Sequence, residues 1–246
     1  MLRDLRQTNE KPIQTNTQLI PESDARVFPR IKGVHCLDPH HPTNHHPTSS
    51  ADNNNNNNNQ TGITIPDYWL RKNRTADPAA QCTVVGMAFR DYGYQMLDAW
   101  LTPLQQQQSQ SWDRVETVKL LLNEGYVSKY LLQGIVTRSM RAHTKPDQLA
   151  HTWIYFDAGQ QFNTTVRDPI RAHNFMTAYI YLLDGVGRVR FAASGPPTDE
   201  TDVQVLQNLM QQILQPTLQH QQQHPKQKQQ QSTSKRGSST KPQQRK

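Results

Sequence analysis

The stretch TVVGMAFRDYGYQMLDAW, residues 83–100, couples two hydrophobic periods across one sharp turn. Val84, Val85, Met87 and Phe89 form an apolar run that matches a strand buried on both faces. Beyond a turn at residues 90–93, Leu97, Trp100, Leu101 and Leu104 recur at i, i+3, i+4 and i+7, one face of a helix, which Pro103 is expected to end.

Later segments continue the alternation. TVKLLL at 117–122 reads as a second strand. Ser128 is placed to cap a helix running through Arg141 with Leu132, Ile135, Val136 and Met140 on one side, and HTWIYFD at 151–157 reads as a third strand. Residues 178–183 and 188–193 are β-rich runs joined by Asp184, Gly185, Val186 and Gly187, a hairpin with its turn chemistry written out. Thr198 and Asp199 then cap a helix with an acidic first turn, a stripe of Val203, Leu206, Met210 and Ile213, and Pro216 at its close. Strands alternating with helices predict an α/β fold with a central, mixed and partly parallel sheet flanked by helices on both faces. The opening strand-turn-helix and the closing hairpin plus helix are thioredoxin-like.

Composition limits how much of the chain is expected to fold. Apolar residues are 34% of the chain and mean hydropathy is −0.85, but the polarity is concentrated. Residues 53–59 are all asparagine, 105–108 all glutamine, and the end from 215 onward is almost entirely Gln, Ser, Lys, Arg, Thr and Pro, compositions that cannot bury enough surface to offset ordering entropy. The expected organisation starts with a polar leader over 1–25, where Arg3, Arg6 and Lys11 are interrupted by Asp4 and Glu10 and make at most a weak targeting signal. An arm follows over 26–38, in which Pro29 forbids a helix interior and Ile31, Val34 and Leu37 suit an extended arm or an edge strand. Then come a His- and Asn-rich low-complexity insert over 39–62, a connecting segment over 63–80, a thioredoxin-like domain over 81–214 and a Gln-rich, basic, disordered tail over 215–246. Seven of the 27 basic residues lie in that tail with no Asp or Glu, which leaves 20 basic against 20 acidic elsewhere. The net charge of +7 therefore marks a tail suited to polyanions or to solubility, and not a basic face on the domain.

Several chemistries are not expected. No stretch approaches the ~18–20 apolar residues that span a bilayer, so membrane contact would be peripheral. His35, Cys36, His40, His41, His45 and His46 have the atom types of a zinc site, but four of the histidines stand in HHP repeats beside homopolymer with nothing to fix geometry, and no metal is expected. No phosphate-binding Gly loop and no nucleophile elbow occurs, so neither an enzyme nor a cofactor is indicated. A redox-active thioredoxin-like protein places a thiol at the helix start, where the dipole favours thiolate. Here that corner is Arg90, Asp91, Tyr92 and Gly93, while Cys82 lies before the strand and Met176 and Thr177 stand where a cis-proline would open the hairpin strand.

VFPRIKG at 27–33, FRDYG at 89–93, LDAW at 97–100, the YLLQGI helix and TAYIYLLDGVGRVRFAASG at 177–195 together resemble the mitochondrial ATP synthase assembly factors that chaperone subunit a of the membrane sector. The resemblance covers 26–32 and most of 81–214. It implies a thioredoxin-like, non-enzymatic factor on the matrix side of the mitochondrial inner membrane. Such a factor would hold newly made subunit a until it joins the rotor ring, with peripheral membrane contact and no nucleic-acid partner.

Chemistry locates the expected contact surface. A helix start beside Arg90 suits an anionic or carbonyl group, and Tyr92, Tyr94 and Trp100 offer aromatic area of the kind that anchors interfaces. The expected partner-binding residues are Phe28, Pro29, Arg30 and Lys32 of the arm with Arg90, Asp91, Tyr92, Gly93, Tyr94 and Trp100 of the corner. The competing readings are core packing for Trp100, an ion pair of Arg90 with Asp91 or Asp98, and a solvated arm for Arg30 and Lys32. Gly93 and Gly195 are expected at φ values that glycine tolerates most easily. Two other functions remain open: a degenerate oxidoreductase using Cys82, and a polyanion binder acting through the tail.

Overall fold

In the computed structural model, which describes residues 17–41, 63–72, 81–107, 114–124, 131–157 and 162–215, the first apolar run is a strand buried from end to end. In chain order the strands are β1 (Ile31–Cys36), β2 (Ile63–Ile65), β3 (Cys82–Ala88), β4 (Val115–Glu124), β5 (Thr152–Asp157), β6 (Ala178–Asp184) and β7 (Val189–Ser194). The helices are α1 (Asp67–Lys72), α2 (Asp91–Gln107), α3 (Gln133–His143), α4 (Asp168–Ile170) and α5 (Glu200–Leu214). They form one seven-stranded sheet in the order β2-β1-β5-β4-β3-β6-β7, with β3, β4 and β5 parallel and the remaining pairs antiparallel. β3-α2-β4 is a parallel crossover unit and β6-β7-α5 a hairpin with its helix. Joined through β3 and β6, they make the thioredoxin-like core the sequence predicts.

Period two along the strands divides the core. Val84, Leu121, Ile180 and Phe191 face α2 and α5, while Val85, Met87, Val118 and Tyr181 face Phe28, Trp69, Phe162 and Val166 on the other side. The α2 stripe of Leu97, Trp100, Leu101 and Leu104 is fully buried. In α5, Leu209 joins the expected stripe. Asp199 Oδ1 accepts from the Thr201 N–H at 2.9 Å, and Asp202 Oδ2 accepts from the Thr198 N–H at 2.7 Å, a reciprocal cap.

Four expectations are corrected. The arm is neither free nor an edge, because β2 pairs outside β1 and β5 inside it, and Phe28, Ile31, Val34 and Leu37 are buried. α2 runs through Pro103 to Gln107: the N–H that proline lacks would have served the carbonyl of exposed Ala99, which water can reach, while Leu101 and Leu104 hold both flanking turns to the core. α3 begins at Gln133 with Leu132 at its N-cap position, so Ser128 does not cap it, and it buries none of its residues; Val136 and Met140 lean on the core, but Leu132 and Ile135 face outward. Gly195 has the expected positive φ, +81°, but Gly93 does not. At Gly93 the constraint is space, since a Cβ there would stand 3.0 Å from Ala88 Cβ and 3.2 Å from the Thr177 carbonyl oxygen.

Residues 20–28 cover the outer edge of β7. The Ile20 N–H donates to the Arg190 carbonyl at 2.7 Å, the Val189 N–H to the Arg26 carbonyl at 2.7 Å and the Phe28 N–H to the Gly187 carbonyl at 2.9 Å, so the edge offers no free ladder there. The leader over 1–16, the asparagine run, His45, His46, Gln108, Ser128, Pro216 and the tail over 216–246 lie outside the described residues.

Candidate functional site

The corner between β3 and α2 is held both by its own first helical turn and by the loop and side chains packed against it. β3 ends at Ala88, Phe89 turns inward, and α2 begins at Asp91, with the Tyr94 N–H donating to the Arg90 carbonyl at 3.2 Å. The close fit of Gly93 against Thr177 seats the loop before β6 on the first turn of α2. That loop is braced from below: the Asn174 N–H donates to Tyr179 Oη at 2.7 Å, and the Met176 N–H donates to Asn174 Oδ1 at 2.9 Å. Under the corner the Arg167 guanidinium lies 4.0 Å from the centre of the Phe175 ring and 4.6 Å from that of Phe89. Burial pulls Arg167 down to about 10, so it keeps its charge at neutral pH.

This frame presents a mixed surface. Arg90, Asp91 and Tyr92 are exposed, Tyr92 by 58%, and the facing loop adds exposed Phe175 and Met176. Among the described residues no ion pair engages Arg90; Asp98, one of the partners considered for it, instead accepts from Lys119. Tyr94 is half-buried, and burial, reinforced by the charge of Asp91, pushes its phenol up. Sequence reasoning gives no contact role to Arg167, Phe175 or Met176, because none of them carries a local signal. Lys119 had one, a single charge inside the apolar run TVKLLL, and such a residue needs a partner when buried. It has two, Asp98 on α2 and Gln148, whose Oε1 accepts at 3.0 Å.

Other expected contact residues sit elsewhere. Trp100 is wholly buried, with Nε1 donating to the Gly195 carbonyl at 2.9 Å, so its ring belongs to the core. Phe28 is buried edge-on against Tyr181 at 5.7 Å and has no surface to offer. Pro29 is half-buried, Lys32 is exposed, and Arg30 pairs with Asp67 at 3.3 Å, next to Pro66 and Leu70, which face Gly187 at the Cys82 end of β3 and β6, opposite the Ala88 end that holds the corner. Arm and corner thus do not make one site. His41 packs between Tyr68 and Trp153, and among the described residues no group of three His, Cys, Asp or Glu could hold a metal ion.

Neither described cysteine reaches the corner. Cys82 opens β3 on the helix-covered face, so the whole strand, ~20 Å, separates it from the first turn of α2. Cys36 lies on the opposite face with Sγ directed at the Leu149 and Ala150 carbonyls, both at 3.6 Å. Burial pushes the Cys82 thiol up from 9.0 to about 12, which leaves a thiolate fraction on the order of a thousandth of a free cysteine's at neutral pH. Tyr179 is likewise pushed from 10.0 to about 12, mainly by burial. Both groups stay neutral in the fold while the unfolded chain ionises at its ordinary, lower values. The stability they confer is full below about pH 9 and is lost as pH rises toward 12. Urea midpoints are therefore expected to fall steadily above that pH, and Cys82 to stay unmodified by a thiol reagent at neutral pH until the chain is denatured. Rapid native labelling at Cys82 would contradict this.

Residues 72–213 match the family model described as ATP10 protein. No curated protein matches the chain. In structure the chain is similar to a DsbF homologue from Corynebacterium diphtheriae, with 13% identity, coverage of 79% of this chain and 94% of that one, and a TM-score of 0.41. It is also similar to BsSco, a member of the Sco family of cytochrome c oxidase assembly proteins, with 8% identity, coverage of 78% and 96%, and a TM-score of 0.40. The strand order, and not these likenesses, identifies the fold.

Proposed function

Because the chain belongs to the ATP10 family of ATP synthase assembly proteins, we propose that it binds newly made subunit a of the membrane sector through the β3-α2 corner and delivers it without catalysis. The family's role in ATP synthase assembly carries with it a mitochondrial location. Work on the matrix side of the inner membrane, with peripheral membrane contact, belongs to the proposal. Among the described residues no helix is long and apolar enough to cross a membrane.

The observation that carries the reading is the corner's surface. Exposed Arg90 and Tyr92 stand beside exposed Phe175 and Met176 on a loop braced by Asn174, Tyr179 and Arg167. A rigid aromatic and methionine surface next to an arginine suits an apolar polypeptide with carbonyl or carboxylate groups. Where a redox relative would hold a thiol, this corner holds contact residues.

Replacing Arg90 by Glu together with Tyr92 by Ala, in cells lacking the native chain, tests it. Native gels of mitochondrial membranes are expected to show assembled synthase and subunit a reduced by about tenfold or more, the effect of removing two interface anchors, with the soluble catalytic sector still present. Normal assembly by a variant present at normal abundance would remove the corner from the reading.

A further inference from the structure

Helix α3 carries an apolar surface that no other part of the described structure covers. Leu131 and Leu132, just before its first turn, are 76% and 41% exposed, and Ile135 is 67% exposed. Leu131 and Leu132 stand in the turn that enters the helix and Ile135 in its first turn, all three exposed, while Val136 and Met140 lean on the core and fix which side of the helix faces outward. Along the segment itself the charge has one sign, while across the cleft at its far end stand Asp91 and Asp98. From Leu131 to Lys145 the chain contains Arg138, Arg141, His143 and Lys145 and no Asp or Glu. Arg138 and Lys145 are exposed, and Arg141 is tied to the Leu37 carbonyl by its Nε at 2.7 Å.

We infer that the outer side of α3 is a shallow lipid contact, in which Leu131, Leu132 and Ile135 at its start enter the headgroup boundary of an anionic bilayer while Arg138 along it and Lys145 just past its end meet the phosphates. Large aliphatic residues beside an acid-free basic segment have the composition of an interfacial helix. A protein-binding surface draws more on Tyr and Trp, and leucine is under-represented among its anchors. The position suits the function. The last turns of α3, through Met140 and His143, and the first turns of α2, through Asp91 and Tyr94, line one cleft of about 590 Å3. A chain seated on lipid through α3 therefore holds the corner within reach of a bilayer. The inference rests on the proposal of peripheral membrane contact and names the surface that makes it.

The full-length protein is mixed with phosphatidylcholine vesicles with and without phosphatidylglycerol, and co-flotation is measured at low and high salt. The native chain is expected to float with the anionic vesicles. Leu131→Asn with Ile135→Asn is expected to weaken partitioning at least about tenfold with the thermal midpoint unchanged, since both side chains are already exposed. An Ile135→Trp chain is expected to show blue-shifted emission from the new indole, and its quenching by brominated lipid, with these vesicles only. Partitioning that survives the double substitution and vanishes with salt would overturn the inference and move the contact to the basic tail. An absence of partitioning would also overturn it, leaving a protein surface as the cover of α3. Assembly in cells carrying the Arg90 and Tyr92 changes is a separate readout, so the lipid contact and the client site can fail independently.

Discussion

Trp100→Ala is expected to lower the unfolding free energy by about 3–5 kcal/mol, the upper range for a large-to-small core change. Trp100 is fully buried on the sheet-facing side of α2 among Leu97, Leu101 and Leu104. Its indole also ties two parts of the fold together. Nε1 donates to the carbonyl of Gly195, which sits just past β7 at a φ of +81° and whose N–H donates to the Ala178 carbonyl at 2.9 Å. Truncation thus leaves a cavity and an unserved carbonyl at once. Trp100→Phe keeps most of the volume and loses the hydrogen bond, and should cost about 1–3 kcal/mol. Urea unfolding at constant slope separates the two; a loss below about 1 kcal/mol for the alanine variant would show that the core around α2 collapses onto the gap.

The second large effect is expected at Asp184, in the turn between β6 and β7. Its side chain is nearly buried and serves four donors: the Arg188 N–H at 2.9 Å, Arg188 Nε at 2.8 Å, the Val186 N–H at 3.2 Å and Arg190 Nη1 at 3.5 Å. The two arginines carry the connection outward, Arg188 Nη2 to Glu22 at 2.9 Å and Arg190 Nε to the Ile20 carbonyl at 2.8 Å. Asp184→Ala removes a charged acceptor from four donors and leaves Arg190, most of whose side chain is out of water, with Glu22 at 3.4 Å as its one ion-pair partner among the described residues, at a cost of about 3 kcal/mol. The same change should loosen residues 20–28 from β7, which limited proteolysis would report as faster cleavage there. A double-mutant cycle with Arg190→Met is expected to show a coupling of about 1 kcal/mol or more, and additive losses would place the effect in the turn alone.

How much was legible depends on the range over which each residue is determined. Thr83 to Leu104 announces a buried strand and a helix because the two periods sit next to each other, and the hairpin around Asp184 and Gly187 and the cap at Asp199 are equally local. The arm was misread for the opposite reason. Ile31, Val34 and Leu37 look the same in an edge strand as in an interior one, and the partner that makes β1 interior, β2, is a three-residue strand beyond the His- and Asn-rich insert. The candidate site was half legible. Arg90 and Tyr92 stood out at the corner, whereas Phe175 and Met176 join them only because Gly93 admits Thr177.

By itself the sequence determined the stripe of α2 and that of α5, the hairpin turn after Asp184, the cap at Asp199 and the lack of a thiol at the start of α2, since these depend on neighbours within a few positions. The tertiary structure alone decided what covers each face. Trp100 and Ile135 both lie on apolar helical stripes, yet one is buried in the core with its indole bonded to Gly195 while the other stands in solvent. A stripe's spacing is set by the 3.6-residue turn of its own helix, but its burial is set by distant segments that chain topology brings, or does not bring, against it.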